Sequence, residues 1–174
     1  HATSKQLLQL DLVKPEIWEE YLKFTFIRNP YDRAYSDYLW LQEDRNVKGS
    51  FKDYILKKGA FEPVLTDTSV KEYRGDHLSQ QTDFFDFSGT LKMDFVGKFE
   101  NLRMDLDELN DKLGIIKKFD LHSKKNANRK SHYSLFYTNK KKHLVESHFA
   151  KDLSVLDYEF EDKRTGRNQL LKWI

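Results

Sequence analysis

Cysteine is absent from the 174 residues. Disulfide bonds, thiolate zinc sites and cysteine nucleophiles are therefore excluded. Long apolar runs are missing too. No stretch approaches the roughly 20 residues needed to span a bilayer, and no signal peptide is visible. A cytoplasmic protein fits these absences best. Glycine is scarce, with seven residues, and none belongs to a Walker-type loop, which argues against a nucleotide kinase. No two histidines stand at i, i+4 spacing; His143 and His148 are five apart, so no metal site is spelled out. Charge of one sign is also lacking. A net charge of +2 is too balanced to argue for a nucleic-acid partner.

What is present describes a folded, soluble chain. Hydrophobic residues make up 39% and charged residues 33%, enough apolar material for one domain with a sizeable core. The basic residues are unevenly placed. Lys117, Lys118, Lys124, Lys125, Arg129, Lys130, Lys140, Lys141 and Lys142 crowd the last third. A solvated helix face and a polyanionic ligand both account for that run.

Periodicity predicts a helix over residues 1–10, a short turn around Trp18 and a strand at 24–27. A helix follows from Pro30 to about Glu43. Ser50 caps another over 51–58. Residues 59–90, punctuated by Gly59, Pro63, Gly75 and Gly89, show no clean period and read as a long irregular excursion. A second buried strand lies within 92–100, centred on Phe95 and Val96; Gly97 within it marks a bulge or a close backbone approach. Asn101 then caps a helix whose Leu102, Leu106, Leu109 and Leu113 share a face, ended by Gly114. A last long helix is expected from about Asn139 to Leu156, then a polar tail beyond Asp162, with Tyr158 and Phe160 as core. Strands alternating with helices imply an α/β protein with a parallel sheet covered by helices, in one domain. Two clear strands make that sheet thin.

The segment Phe24-Thr-Phe-Ile-Arg28-Asn-Pro-Tyr-Asp-Arg33-Ala-Tyr-Ser36-Asp-Tyr38 has the ingredients of an anion pocket. A buried strand ends in an arginine, Asn29 is a good N-cap, and Pro30 suits the first helical position. The helix N-terminus offers free N–H groups and a positive dipole end. Arg28 can grip a phosphate with two prongs, and Ser36 supplies a hydroxyl donor if its face turns that way. An ordinary strand–turn–helix, with the arginine paired to Asp32 or Asp37, accounts for the same residues.

This segment resembles the 3′-phosphate-binding pattern Arg-Asn/Asp-Pro-x-x-Arg-x-x-Ser-x-Tyr of the carbohydrate-type sulfotransferases (sulfotransferase family 2), met at Arg28, Asn29, Pro30, Arg33, Ser36 and Tyr38. Further segments follow in the family's order. His77-Leu-Ser-Gln-Gln-Thr-Asp-Phe-Phe is similar to its His-x-x-Pro-Gln-x-x-Phe element, with Ser79 in place of proline. Asp94-Phe-Val-Gly-Lys-Phe-Glu-Asn-Leu resembles a second element, and Asp152-Leu before Tyr158-Glu-Phe160 resembles its closing pattern.

The resemblance implies a P-loop-NTPase-like parallel sheet flanked by helices. It also implies transfer of a sulfuryl group from 3′-phosphoadenosine 5′-phosphosulfate (PAPS) to a carbohydrate hydroxyl, without a metal, leaving adenosine 3′,5′-bisphosphate. Arg28 and Ser36 would bind the 3′-phosphate. Arg129, Lys130 and Ser131, with Asn126 or Asn128, would close over the nucleotide, although a solvated basic loop accounts for them equally. His1 is the expected catalytic base, or an exposed terminal histidine. His77 and Gln80 are acceptor contacts, with His77 a second candidate base, and residues 59–90 would shape the acceptor site. His122, His132, His143 and His148 lie among basic or helical surroundings, and His143 and His148 are assigned surface or packing roles in the last helix. The family's Gly-rich 5′-phosphosulfate loop, Lys-x-x-Gly-Thr-Ser, has no counterpart here, so an N-terminally incomplete sheet is expected. A Golgi-lumenal enzyme is the alternative location if an anchor has been removed. A non-catalytic module binding polyanions or sulfated glycans is the alternative function.

Overall fold

The computed structural model describes residues 2–86, 92–115 and 129–174. His1, Gly89, His122, Asn126, Asn128 and the lysines at 117, 118, 124 and 125 lie outside the described residues. The chain forms two compact units, His1–Arg28 with Gln80–Lys124 and Asn29–Ser79 with Lys125–Ile174.

The first unit is built on a two-stranded parallel sheet. Strand β1 (Phe24–Ile27) pairs with β2 (Phe95–Lys98), Phe24 opposite Phe95 and Ile27 opposite Lys98. Its register is fixed just before the strands begin. The Lys23 backbone N–H donates to the Asp94 carboxylate at 2.8 Å, and the Asp94 N–H donates to the Lys23 carbonyl at 2.8 Å. The Lys23 ammonium lies 2.9 Å from the same carboxylate. Those bonds, the backbone one foremost, hold Asp94 below the usual carboxylate range.

Helix α1 (Ser4–Gln9) starts in a capping box between Thr3 and Gln6. The residues around Trp18, expected as a turn, form α2 (Pro15–Glu20), with proline in its first turn and Trp18 buried. Helix α6 (Leu102–Leu113) ends as expected at Gly114, in the left-handed region at φ 66°. Its start differs from expectation. Asn101 makes no side-chain cap; a 3-10 turn over Phe99–Asn101 leads in, and Asp105 accepts from the Lys98 N–H. Of the four periodic leucines Leu109 is the buried one, because the small sheet covers only part of the helix.

The second unit is helical and aromatic. Helix α3 (Pro30–Asp44) is capped by the Asn29 side chain, which accepts from the Tyr31 N–H at 3.0 Å. Helix α4 (Phe51–Ile55) starts in a Ser50–Asp53 capping box. It stops short of the predicted 58 because Lys57 and Gly59 adopt positive φ. The excursion 59–90 contains a five-residue helix, α5 (Glu62–Thr66), and 3-10 turns at Gly59–Phe61, Gly75–Leu78 and Gln81–Asp83. The predicted last helix is two, α7 (Asn139–His148) and α8 (Ala150–Val155), broken at Phe149. Neither glycine nor proline marks that break. Phe149 at the break and Asp152 just beyond it are both fully buried.

Helices α3, α4 and α7 enclose Tyr31, Tyr35, Phe51, Tyr54, Phe61, Tyr133, Tyr137 and Phe149. Phe160 packs against this core, edge-on to Tyr31 at 5.0 Å. The polar tail holds one surprise. Arg164 is buried, forked onto Asp162 and donating to the Tyr137 carbonyl at 3.1 Å.

Gly97 marks a close approach and not a bulge. It sits in register with Phe26, and a Cβ there would lie 2.4 Å from the Phe26 ring. That ring is itself wedged edge-on against Phe24 and Phe95. Gly97→Ala should therefore lower stability by about 1–3 kcal/mol, read as a lower urea midpoint. Combining it with Phe26→Ala should remove most of that additional cost in a double-mutant cycle.

Candidate functional site

In the first unit, the end of β1 is held by a side chain. Gln81 accepts from the Arg28 backbone N–H at 2.9 Å and donates to the Arg28 carbonyl at 2.8 Å. Both backbone groups are thus satisfied where the strand ends. The guanidinium lies over the Phe99 ring, 4.3 Å from its centroid, a contact that orients the charge. The sequence assigned a role to Gln80; the backbone grip belongs to its neighbour Gln81.

In the second unit, Ser36 lies half-buried on α3. Arg33, one turn earlier, is drawn inward. Its guanidinium donates to the carbonyls of Ser79 and His77, both at 2.9 Å. It also lies 3.8 Å from Asp152, which is fully buried, and 5.6 Å from the Phe149 ring. A planar fork with five N–H donors in fixed directions suits two carbonyls with a carboxylate nearby.

The same arginine fixes the backbone that carries His77. The imidazole Nδ1 is 2.6 Å from Asp37 Oδ1, and Trp40 stacks on the ring at 5.0 Å with 10° between planes. The other Asp37 oxygen accepts from the buried Tyr54 hydroxyl at 2.6 Å. The bond to Asp37 is the main reason the His77 pKa is raised above 6.5; burial opposes it. Burial and the Asp37 charge push the Tyr54 hydroxyl far up, so it stays a donor.

The candidate phosphate contacts behave differently from one another. Arg129 is paired with Asp32, in the first turn of α3, and sits 5.5 Å over the Tyr35 ring. The Lys130 backbone N–H donates to the Tyr35 hydroxyl at 3.0 Å while its side chain is exposed, as is Ser131. Arg129 thus ties this loop to α3 by charge pairing. His132 accepts from the Ser134 N–H through Nδ1, and burial lowers its pKa. His143 pairs with Glu146 on the surface and His148 contacts the Leu78 carbonyl at 2.8 Å. Trp40 and Tyr54 are residues the sequence did not single out, and Asp37 was named there only as a candidate partner of Arg28. Asp37 faces His77 across forty positions, and no local signal reports such a pairing.

Residues 2–159 match the Sulfotransferase family. The chain belongs to the Sulfotransferase family. Membership brings transferase chemistry of the sulfuryl-transfer kind, and so a sulfate donor and an acceptor. The match spans β1, α3, the His77 segment, β2 and α7–α8. An uncharacterized protein of Archaeoglobus fulgidus is 25% identical over 114 residues, covering 63% of this chain and 81% of the relative. No solved structure matches. Among the described residues, no helix of this sulfotransferase-family chain is long and apolar enough to cross a membrane.

Two outcomes follow from the buried charges. Asp152→Ala leaves the Arg33 guanidinium short of a buried counter-charge and should cost about 3–5 kcal/mol in urea unfolding. The raised His77 pKa means the folded state favours the protonated imidazole. Its contribution is fully present below pH 6.5, the unfolded value, and is lost as pH rises through the folded pKa. A stability–pH profile should show that decline in the wild type, and Asp37→Asn should flatten it.

Proposed function

We propose that this chain serves PAPS-dependent sulfuryl transfer to a carbohydrate hydroxyl and carries the residues for the 3′-phosphate half of the donor. The proposed scaffold is a P-loop-NTPase-like parallel sheet flanked by helices. The family match over residues 2–159 carries this conclusion. The motif assigns Arg28 and Ser36 to the 3′-phosphate, with Lys130 and Ser131 as further nucleotide contacts. Arg129 would act there through its hold on α3. Gln80 and His77 are assigned to the acceptor, and His1 remains a candidate base.

The residues suit a phosphate on two counts. Arg28 ends a strand with its backbone satisfied by Gln81 and its charge oriented over Phe99. Asn29 and Pro30 open a helix of 15 residues, long enough for its N–H groups and dipole to favour an anion. PAPS supplies the phosphosulfate from which a sulfuryl group can leave. The chain's own task is to bind and orient donor and acceptor and to take up the acceptor's proton.

The rival polyanion-binding module draws on the lysines of α7. Two of them are already engaged. Lys142 pairs with Glu146 at 2.6 Å, and Lys141 donates to the Phe136 carbonyl at 3.3 Å with burial lowering its pKa.

Adenosine 3′,5′-bisphosphate at about 100-fold excess over its Kd should raise the thermal midpoint by roughly 5–10 °C. Arg28→Ala should remove that shift. No shift with the wild type refutes the donor assignment. Heparin retention that survives Arg28→Ala and vanishes on neutralising Lys140, Lys141 and Lys142 favours the binding module.

A further inference from the structure

The second unit holds a cleft of about 540 Å³, and among the described residues none of those assigned to donor or acceptor lines it. Helix α7 contributes Lys142 and Glu146, the tail contributes Tyr158, Asp162 and Arg164, and α8 contributes Leu153. That volume lies within the ordinary range of small-ligand sites. Its polar groups are held in place. Glu146 accepts from the Tyr31 hydroxyl at 3.2 Å and pairs with Lys142 at 2.6 Å. The buried Arg164 forks onto Asp162, whose second oxygen also lies 3.0 Å from Lys172. Bonds from Arg164 hold Asp162 well below the usual carboxylate range, so that pair stays charged.

The charges of the cleft balance. Lys142, Arg164 and the adjoining Lys172 stand against Glu146, Asp162 and the exposed Glu159. Lys142 and Glu146 answer each other, as do Arg164 and Asp162, so an ionic ligand would have to break a pair at a cost. A further organic cation also meets competition at the aromatic wall, since Lys142 and Arg164 already lie 5.7 Å and 5.1 Å from the Phe160 centroid. A neutral ligand rich in hydroxyls makes neither demand. Each hydroxyl both donates and accepts, while an ammonium has three donors and a carboxylate about four acceptor positions, more than one mutual bond consumes. Hydrogen bonds to such charged groups are the stronger kind. Leu153 and Tyr158, both half-buried, add the apolar surface that the C–H face of a sugar ring requires.

We propose that this cleft is a subsite for a neutral pyranose unit of a glycan, held by Lys142, Glu146 and Tyr158. It rests on the carbohydrate reading and deepens it, by adding a grip on a sugar unit other than the one that receives the sulfuryl group. No covalent step takes place there. The subsite contributes binding alone.

The test is an NMR titration of the whole chain with neutral mono- and disaccharides of glucose, galactose, mannose and N-acetylglucosamine. Spermidine and inorganic sulfate serve as the cationic and anionic probes. At least one saccharide should shift the backbone amides of residues 139–146 and 158–164, saturating in the millimolar range. That map needs no variant. Lys142→Ala and Lys142→Met, at a partly exposed position, should each weaken the saccharide Kd by roughly 10-fold or more. The proposal is overturned if no saccharide shifts those amides, or if spermidine or sulfate shifts them more strongly than every saccharide. It is equally overturned if both Lys142 variants bind the saccharide as the wild type does. The bisphosphate-induced midpoint shift of the wild type separates the two readings. A chain that shows that shift but binds no saccharide in the cleft keeps the donor reading and loses the subsite. A chain that binds the saccharide there without the shift loses the donor reading and keeps the subsite.

Discussion

The second unit depends on one guanidinium. Arg33 binds two carbonyls of the 77–79 backbone and faces a fully buried Asp152, so three stretches far apart in sequence meet at one charge. Burying that pair is costly, since two ions lose water and regain only what geometry returns. Bonds to both carbonyls improve that return, because each of the fork's directions finds an acceptor. The result is better understood as specificity than as net stability. Alternative packings of α3, the His77 turn and α8 would strand a buried charge, and that penalty selects one arrangement.

Aromatic packing supplies the apolar stabilisation around this centre, but through tyrosines whose hydroxyls have duties of their own. Tyr137 donates to the Tyr31 carbonyl at 2.8 Å, and the Tyr133 hydroxyl accepts from the Glu161 N–H at 2.8 Å. Tyr54 donates to Asp37. Each ring fills core volume while its polar end fixes backbone or a carboxylate. The His77 site draws on this directly. Asp37 can hold an imidazole in one tautomer because Tyr54 occupies its second oxygen, and Tyr54 is immobilised by complete burial. Core and candidate site are therefore not separable at Asp37.

Elements whose signals are local were legible in the sequence. Strand β1, the Asn29–Pro30 start of α3, the Ser50 cap and the Gly114 stop all follow from a few adjacent residues. Elements decided by distant partners were not. The break at Phe149 carries no glycine or proline, and the burial of Arg164 within a polar tail depends on Asp162 and the Tyr137 carbonyl. The site divides in the same way. The motif pointed to Arg28, Ser36 and His77 by order and spacing. The Asp32 partner of Arg129 and the Asp37 partner of His77 could be found only in three dimensions, since α3 carries four acidic residues with nothing local to tell them apart.

The two arginines of the shared motif show why spacing alone does not assign roles. Arg28 and Arg33 are five residues apart, and a pattern treats both as fixed. At Arg28 the backbone is consumed, by Gln81, and the side chain is presented over an aromatic face. At Arg33 the side chain is consumed, by two carbonyls and a buried carboxylate. A guanidinium spent on the fold cannot also bind a donor phosphate without giving up bonds it already holds. Arg33 is therefore committed to architecture. Loss of Arg33 should unsettle the turn that carries His77.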